Sequence, residues 1–239
     1  DTMKYRYRAF MFENVLNSVG KLSDDKSILP KETYMIAIID YDAGNIKSVE
    51  KAFDYLGADT IVTRDPKEIY RADHVVLPGV GAFGDAMNKI NEYGLEETIK
   101  TVVSKEIPFL GICLGLQLLF DSSMESEGVR GLGILRGTIN KIPDTDSNGN
   151  QYKIPQIGWN SLKFPKAGRL FKGIDENAYV YFVHSYYLKA VSRREVTATT
   201  DYSVSIDASV ESGNVFACQF HPEKSAEVGM QILSNFLNV

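Results

Sequence analysis

The sequence predicts an α/β fold: an open, mostly parallel central sheet flanked by helices, with additional antiparallel strands in the second half. Three observations point there. Short apolar runs alternate with stretches of helical spacing through the first half. Runs such as MIAIID and PFLGIC are apolar at nearly every position, as strands covered on both faces are. In the second half, β-branched and aromatic residues dominate and the helical spacing fades.

The elements follow in order. MIAIID (35–40) reads as a buried strand, followed by a helix on which Ile46, Val49, Phe53 and Leu56 share a face and Gly57 ends the run. ADTIVTRD (58–65) and HVVLPG (74–79) are the next strands. The bend PGVGAFGDAM leads into a helical stretch through residue 92, and Leu95, Ile99 and Val102 mark another helix. PFLGIC (108–113) is a fourth buried strand, and LGLQLLF begins the helix after it. GLGILRGTINKI, QYKIPQIGWNSLKF, AYVYFVHSYYLKAV and REVTATTDY read as strands, with DTDSNGN (144–150) a loop between two of them. NVFACQF (214–220) is a last strand, and VGMQILSNFL an amphipathic closing helix.

Composition bounds the function. The chain has 239 residues, 44% of them hydrophobic and 24% charged, an ordinary balance for a globular protein. A net charge of -5 without a basic stripe argues against nucleic-acid binding, and the apolar runs are too short to span a membrane. Two cysteines make no disulfide framework and fit a reducing, cytoplasmic setting. Three scattered histidines give no zinc-site spacing, so no metal is expected. Residues 1–34 differ in composition from the rest, with Lys4, Arg6 and Arg8 near the start and Pro30 near the end. They read as an N-terminal extension or an appended remnant, and residues 35–239 as one domain.

Gly111–Ile112–Cys113–Leu114–Gly115 falls where a buried strand turns into a helix, the G-x-nucleophile-x-G pattern with cysteine as the nucleophile. A turn that tight leaves no room for side chains on either side and raises the central residue out of the sheet. The helix beginning below the sulfur favours a thiolate, and the Leu114 N–H is free for an oxyanion. The competing reading is a small buried hydrophobe at a strand end, the fate also expected for Cys218. A thiolate nucleophile needs a base and a group to orient it. In FHPEKS (220–225), His221 and Glu223 lie two apart, so in extended chain both point one way, with Pro222 stiffening the pair. Without the elbow, that segment reads equally as a surface loop. PGVG (78–81) ends a neighbouring strand, and its Val80 N–H is the natural second oxyanion donor; alone it is a turn.

Taken together, IIDYDAGNIKSV, LPGVGAFGDAM, GICLGLQLLF, IPQIGWN, YFVHSYY and QFHPEKS, which lie between residues 37 and 225, resemble the class I (triad) glutamine amidotransferases. Within that superfamily, DYDAGN, PGVGAF and IGWN resemble the branch that serves imidazole glycerol phosphate synthase. The resemblance implies a flavodoxin-like sheet and a glutaminase without cofactor. Cys113 would form a γ-glutamyl thioester, His221 would act as base and then acid, and Glu223 would orient it. Val80 and Leu114 would supply the oxyanion hole. Gly79, Gly81, Gln117, Ser185 and Tyr186 would line the site for L-glutamine. Ammonia would pass to a (β/α)₈ cyclase subunit, with Asn45, Trp159, Asn160 and Tyr181 on the surface that faces it. For Trp159 and Tyr181, plain sheet-face packing is the alternative. A resting state is expected in which the Val80 N–H points away from the sulfur. Service to another synthase, a free-standing γ-glutamyl hydrolase and a non-enzymatic scaffold are the other readings.

Overall fold

The computed structural model describes residues 34–239, so the expected extension lies outside the described residues apart from Tyr34. In chain order the strands are β1 (Met35–Ile39), β2 (Asp59–Thr63), β3 (His74–Leu77), β4 (Phe109–Ile112), β5 (Ser122–Ser123), β6 (Gly137–Lys141), β7 (Gln156–Ser161), β8 (Tyr179–His184), β9 (Tyr186–Ala190), β10 (Val196–Asp201), β11 (Ser205–Ser212) and β12 (Val215–Cys218). The helices are α1 (Ile46–Tyr55), α2 (Pro66–Ile69), α3 (Phe83–Glu92), α4 (Leu95–Ser104), α5 (Leu114–Leu118) and α6 (Ala226–Leu237). Asp65 caps α2 by accepting the Lys67 N–H at 2.8 Å, with Pro66 in the first turn where its missing N–H costs nothing.

The central sheet runs β10-β11-β12-β4-β3-β1-β2. β12, β4, β3, β1 and β2 are parallel, while β11 runs antiparallel between β10 and β12. Two smaller sheets complete the second half: β5-β6-β9, with β5 and β6 parallel and β6 and β9 antiparallel, and the antiparallel ribbon β7-β8. Alternation along β1 explains the layers. Ala37 and Ile39 enter one apolar cluster with α3 and α4, and Ile36 and Ile38 enter the other with α1 and α6. Fully buried Phe53 and Phe109, on opposite layers, each contribute about 2–3 kcal/mol through apolar burial.

Three expectations change in detail, and one strand, β11, is additional to them. AYVYFVHSYYLKAV is not one strand. It breaks at Ser185, so β8 pairs with β7 while β9 pairs with β6. LGLQLLF forms only five residues of helix before the chain turns away. Of GLGILRGTINKI, only Gly137–Lys141 is extended. β11 carries no sequence signal as a strand, because Asp207 and Ser209 sit among its buried positions and blur the apolar pattern. Each is satisfied by another segment: Asp207 accepts Arg193 Nη1 at 2.6 Å, and Ser209 Oγ donates to the Ala217 carbonyl at 2.8 Å. DTDSNGN is a loop as expected, closed by Asp146 accepting the N–H groups of Asn148 and Asn150.

His74 opens β3 in the core, edge-on to Tyr34 and Phe236. Among the described residues, neither ring nitrogen has a partner in hydrogen-bond geometry. Burial pushes its pKa down to about 4, with nearby Asp73 and the Phe236 backbone opposing only in part.

Candidate active site

The site forms at the carboxyl ends of two neighbouring parallel strands, where open α/β sheets place their ligands. β4 pairs with β12 in the register Val215↔Phe109 through Cys218↔Ile112. The residue after Ile112 is Cys113, and three residues after Cys218 comes His221. One strand pairing therefore brings together two distant parts of the sequence.

Cys113 takes φ 55° and ψ -104°, a region that L residues rarely occupy, and it is buried. The flanking glycines are required by space. A Cβ on Gly111 would come within 2.8 Å of the Gly115 carbonyl, and one on Gly115 would overlap the Leu77 carbonyl on β3. The Cys113 N–H donates to the Cys218 carbonyl at 2.8 Å, which ties the elbow to β12. Alternation breaks at the elbow, since Ile112 and Cys113 both join the layer that holds α1 and α6. Because α5 is so short, its macrodipole acts on the sulfur less than the sequence suggests.

His221 Nδ1 and Glu223 Oε1 are 2.7 Å apart, both side chains fully buried. They meet differently from the expected extended pair. His221 is extended, but Pro222–Lys224 form a 3-10 turn that folds the carboxylate back beneath the ring. Ser225 Oγ donates to the His221 carbonyl at 2.6 Å and accepts the Tyr181 N–H at 2.9 Å, while the His221 N–H donates to the Tyr181 carbonyl at 2.9 Å. Burial works to lower the His221 pKa, but the sulfur of Cys113 and then Glu223 outweigh it and raise it to about 10. Burial likewise works to raise Glu223, and the bonds from His221 and Asn45 hold it below the usual carboxylate value. With Nδ1 taken, Nε2 is the nitrogen left for the sulfur; it has no hydrogen-bond partner among the described residues.

The PGVG bend departs from expectation at Leu114. Its N–H is not free: it donates to the Gly79 carbonyl at 3.3 Å. In a trans peptide the N–H lies opposite the carbonyl, so the Val80 N–H points away from the oxygen's direction. Tyr41 holds the preceding peptide, its hydroxyl donating to the Pro78 carbonyl at 2.8 Å. Gly81 sits at φ +123°, where side chains are strained.

Beside the sulfur lies a cavity of about 290 Å³, lined by Val80, Gly81, Cys113, Leu114, Gln117 and Tyr186, with Ser185 and His184 also on its wall. Its size suits one amino acid. Gly79 is adjacent to this lining but not part of it. A larger groove of about 580 Å³ lies elsewhere, between α3, α4 and the 129–133 segment, away from Cys113. Sequence reasoning passes over His184, whose Nδ1–H donates to the Tyr186 carbonyl at 2.9 Å and whose burial lowers its pKa to about 4. It also passes over Tyr41 and Gln219.

Among the residues expected on the partner surface, Trp159 (46% exposed) packs edge-on against Tyr181 across the β7–β8 ribbon. Ile157 and Tyr179, 63% and 58% exposed, extend the same apolar face. Asn160 Nδ2 donates to the Asp201 carbonyl at 2.8 Å. Asn45 lies deeper than a surface residue would: in left-handed conformation (φ 73°), it donates Nδ2 to Glu223 Oε1 at 2.6 Å. Among the described residues no cluster of His, Cys, Asp and Glu could hold a metal, and no helix is long and apolar enough to cross a membrane.

Residues 37–239 match the family model described as glutamine amidotransferase class-I. The chain is 46% identical over 205 residues to the imidazole glycerol phosphate synthase subunit HisH of Geobacillus kaustophilus, covering 86% of this chain and 97% of that one. It is 49% identical over 205 residues to the protein of that name from Methanothermobacter thermautotrophicus, covering 86% and 98%. In fold it is similar to a crystal structure of a glutamine amidotransferase (TM-score 0.66, 18% identity, 85% of this chain and 97% of that chain). It is also similar to the crystal structure of a glutamine amidotransferase from Thermotoga maritima (TM-score 0.58, 19% identity, 80% and 77%).

Proposed function

The chain belongs to the class-I glutamine amidotransferase family, and from that premise we infer that it is the glutaminase subunit of imidazole glycerol phosphate synthase. It hydrolyses L-glutamine to glutamate and ammonia for a partner cyclase in histidine biosynthesis. The observation that carries the chemistry is the buried His221–Glu223 pair, fixed by strand pairing beside an elbow cysteine.

In this reading the Cys113 thiol gives its proton to His221 Nε2, and the sulfur attacks Cδ of the glutamine side chain. The C–N bond breaks as the imidazolium returns that proton to the leaving nitrogen, which departs as ammonia. Water, deprotonated by His221, then attacks the γ-glutamyl thioester; glutamate leaves and the thiol is restored. Glu223 keeps Nδ1–H in place and stabilises the charged ring in both halves. Gln117 donates both amide hydrogens inward, to Tyr186 and Gln219, so only its oxygen remains for a ligand, suited to an N–H of glutamine.

The Leu114–Gly79 hydrogen bond supports a resting state in which neither expected oxyanion donor serves the sulfur. Turning over the Gly79–Val80 peptide would free Leu114 and aim Val80 inward, a motion that Gly79, on one side of that peptide, makes cheap. Each donor gained is worth about 10²–10³ in rate. The partner is proposed as a (β/α)₈ barrel that meets the β7–β8 face through Trp159 and Tyr181, with Asn160 at its edge and Asn45 beneath; binding would favour the turned state. A cytoplasmic setting belongs to the same proposal. The test is glutamine hydrolysis by the full chain with and without the cognate cyclase and its ribotide ligand. Wild type should be slow alone and strongly stimulated by both, and Cys113→Ala inactive throughout. Hydrolysis persisting in Cys113→Ala would remove the nucleophile from this account.

A further inference from the structure

Gln219 is fully buried just beyond β12, two residues before His221. Its backbone N–H donates to the Ala208 carbonyl at 2.9 Å, fixing the residue to β11. Its side-chain Nε2 lies 3.7 Å from Cys113 Sγ in hydrogen-bond geometry.

An amide has oxygen and nitrogen ends of nearly the same shape, so the end that faces the sulfur is settled by what the other end meets. Gln117 settles it. Its Nε2 lies 3.1 Å from the Tyr186 carbonyl, which can only accept, so the NH₂ of Gln117 must be on that side. The same Nε2 lies 3.1 Å from the near end of Gln219, which must therefore be an oxygen. That leaves the NH₂ of Gln219 for the sulfur. The orientation is dictated step by step from a backbone carbonyl inward.

We propose that Gln219 is a further catalytic residue, donating an N–H to the Cys113 sulfur so that the thiolate is stabilised and held in one rotamer for attack. The proposal rests on the glutaminase reading and deepens it. Cys113 sits in an apolar layer, where an anion without donors is costly, and a hydrogen bond to a charged group outweighs a neutral one. The relay also joins pocket to nucleophile: Tyr186 and Gln117 line the cavity, and Gln219 behind them touches the sulfur.

The test is the pH dependence of Cys113 alkylation by iodoacetamide in the full chain, read by peptide mass spectrometry to separate Cys113 from buried Cys218. Wild type is compared with Gln219→Met, which keeps the volume and removes the donor, and with Gln219→Glu. The other titratable groups around the sulfur (His221, Tyr41 and Cys218) stay unchanged. Gln219→Met should move the alkylation midpoint up by about one pH unit, about tenfold less thiolate on the rising limb. Gln219→Glu should move it further the same way, because a carboxylate repels the thiolate. A residue that only filled space would change melting but not this profile. An unmoved midpoint in folded Gln219→Met overturns the proposal; should that variant not fold, Gln219→Leu, which also lacks a donor and adds no charge, decides by the same criterion. A wild-type chain showing this dependence on Gln219, yet hydrolysing no glutamine with its partner, overturns the glutaminase reading alone.

Discussion

Replacing His74 with phenylalanine should flatten the acid side of the stability profile. His74 is buried between Tyr34 and Phe236, both ring nitrogens lack a hydrogen-bond partner among the described residues, and its folded pKa is about 4 against an ordinary 6.5. For a base with a depressed folded pKa, the unfolded chain binds the proton first. Stability is therefore lost as pH falls from 6.5 towards 4. Linkage with those two values gives about 0.2 kcal/mol lost at pH 7 and about 2 kcal/mol at pH 5. His74→Phe keeps the flat ring and removes the titration, so from pH 7 to pH 5 wild type should lose about 2 kcal/mol more than the variant. His184 titrates in the same window but is common to both chains. His221 has the opposite sign: its raised pKa gives stability that is full below pH 6.5 and is lost as pH rises through about 10. The assay is urea unfolding at pH 7 and pH 5, followed by Trp159 fluorescence. Equal losses in the two chains would refute the reasoning, because the buried, unprotonated ring would then not be the source of acid lability.

Three further outcomes are expected. Gly115→Ala would drive a Cβ into the Leu77 carbonyl, so about 1–3 kcal/mol of stability in urea unfolding and about 100-fold in glutamine turnover should be lost; a wild-type rate would show the elbow has slack. Asn45→Gly keeps the left-handed backbone but removes the donor to Glu223, and partner-stimulated kcat should fall about tenfold with the melting curve little changed; an unaltered kcat would leave Asn45 to the partner surface alone. Gly79→Val puts a branched residue at the hinge of the Gly79–Val80 peptide and against the Tyr41 hydroxyl, so stimulation by the cyclase, about 10²–10³-fold per oxyanion donor, should disappear; full stimulation would exclude the turning peptide.

What is legible in the sequence is the part encoded locally. Gly111–Cys113–Gly115 announces its elbow because steric crowding at the two glycine positions admits no side chain there. The parallel core strands show as apolar runs because both their faces are covered. What stays hidden depends on pairing. Ser205–Ser212 is a strand because Asp207 and Ser209 find partners on other segments, which no local pattern reveals. Gln219 reads as a polar residue at a strand end until Gln117, from a distant helix, fixes its amide. Asn45 reads as a surface residue in a turn; its depth beside Glu223 follows from where α1 packs against the 222–224 turn. Leu114 is expected to be free because a helix's first N–H groups lack partners within the helix, and the Gly79 carbonyl supplies one from outside.

The lateral neighbourhood of β4 and β12 bears on how this polypeptide is born. Translation delivers the elbow long before it delivers β12 and the His221 that follows it, so a nascent or truncated chain holds Cys113 without His221 beside it. If Cys113 and His221 act as proposed, reactivity towards amides would require β12 to be seated beside β4, so that hydrolytic competence depends on the closing segment of the domain being in place.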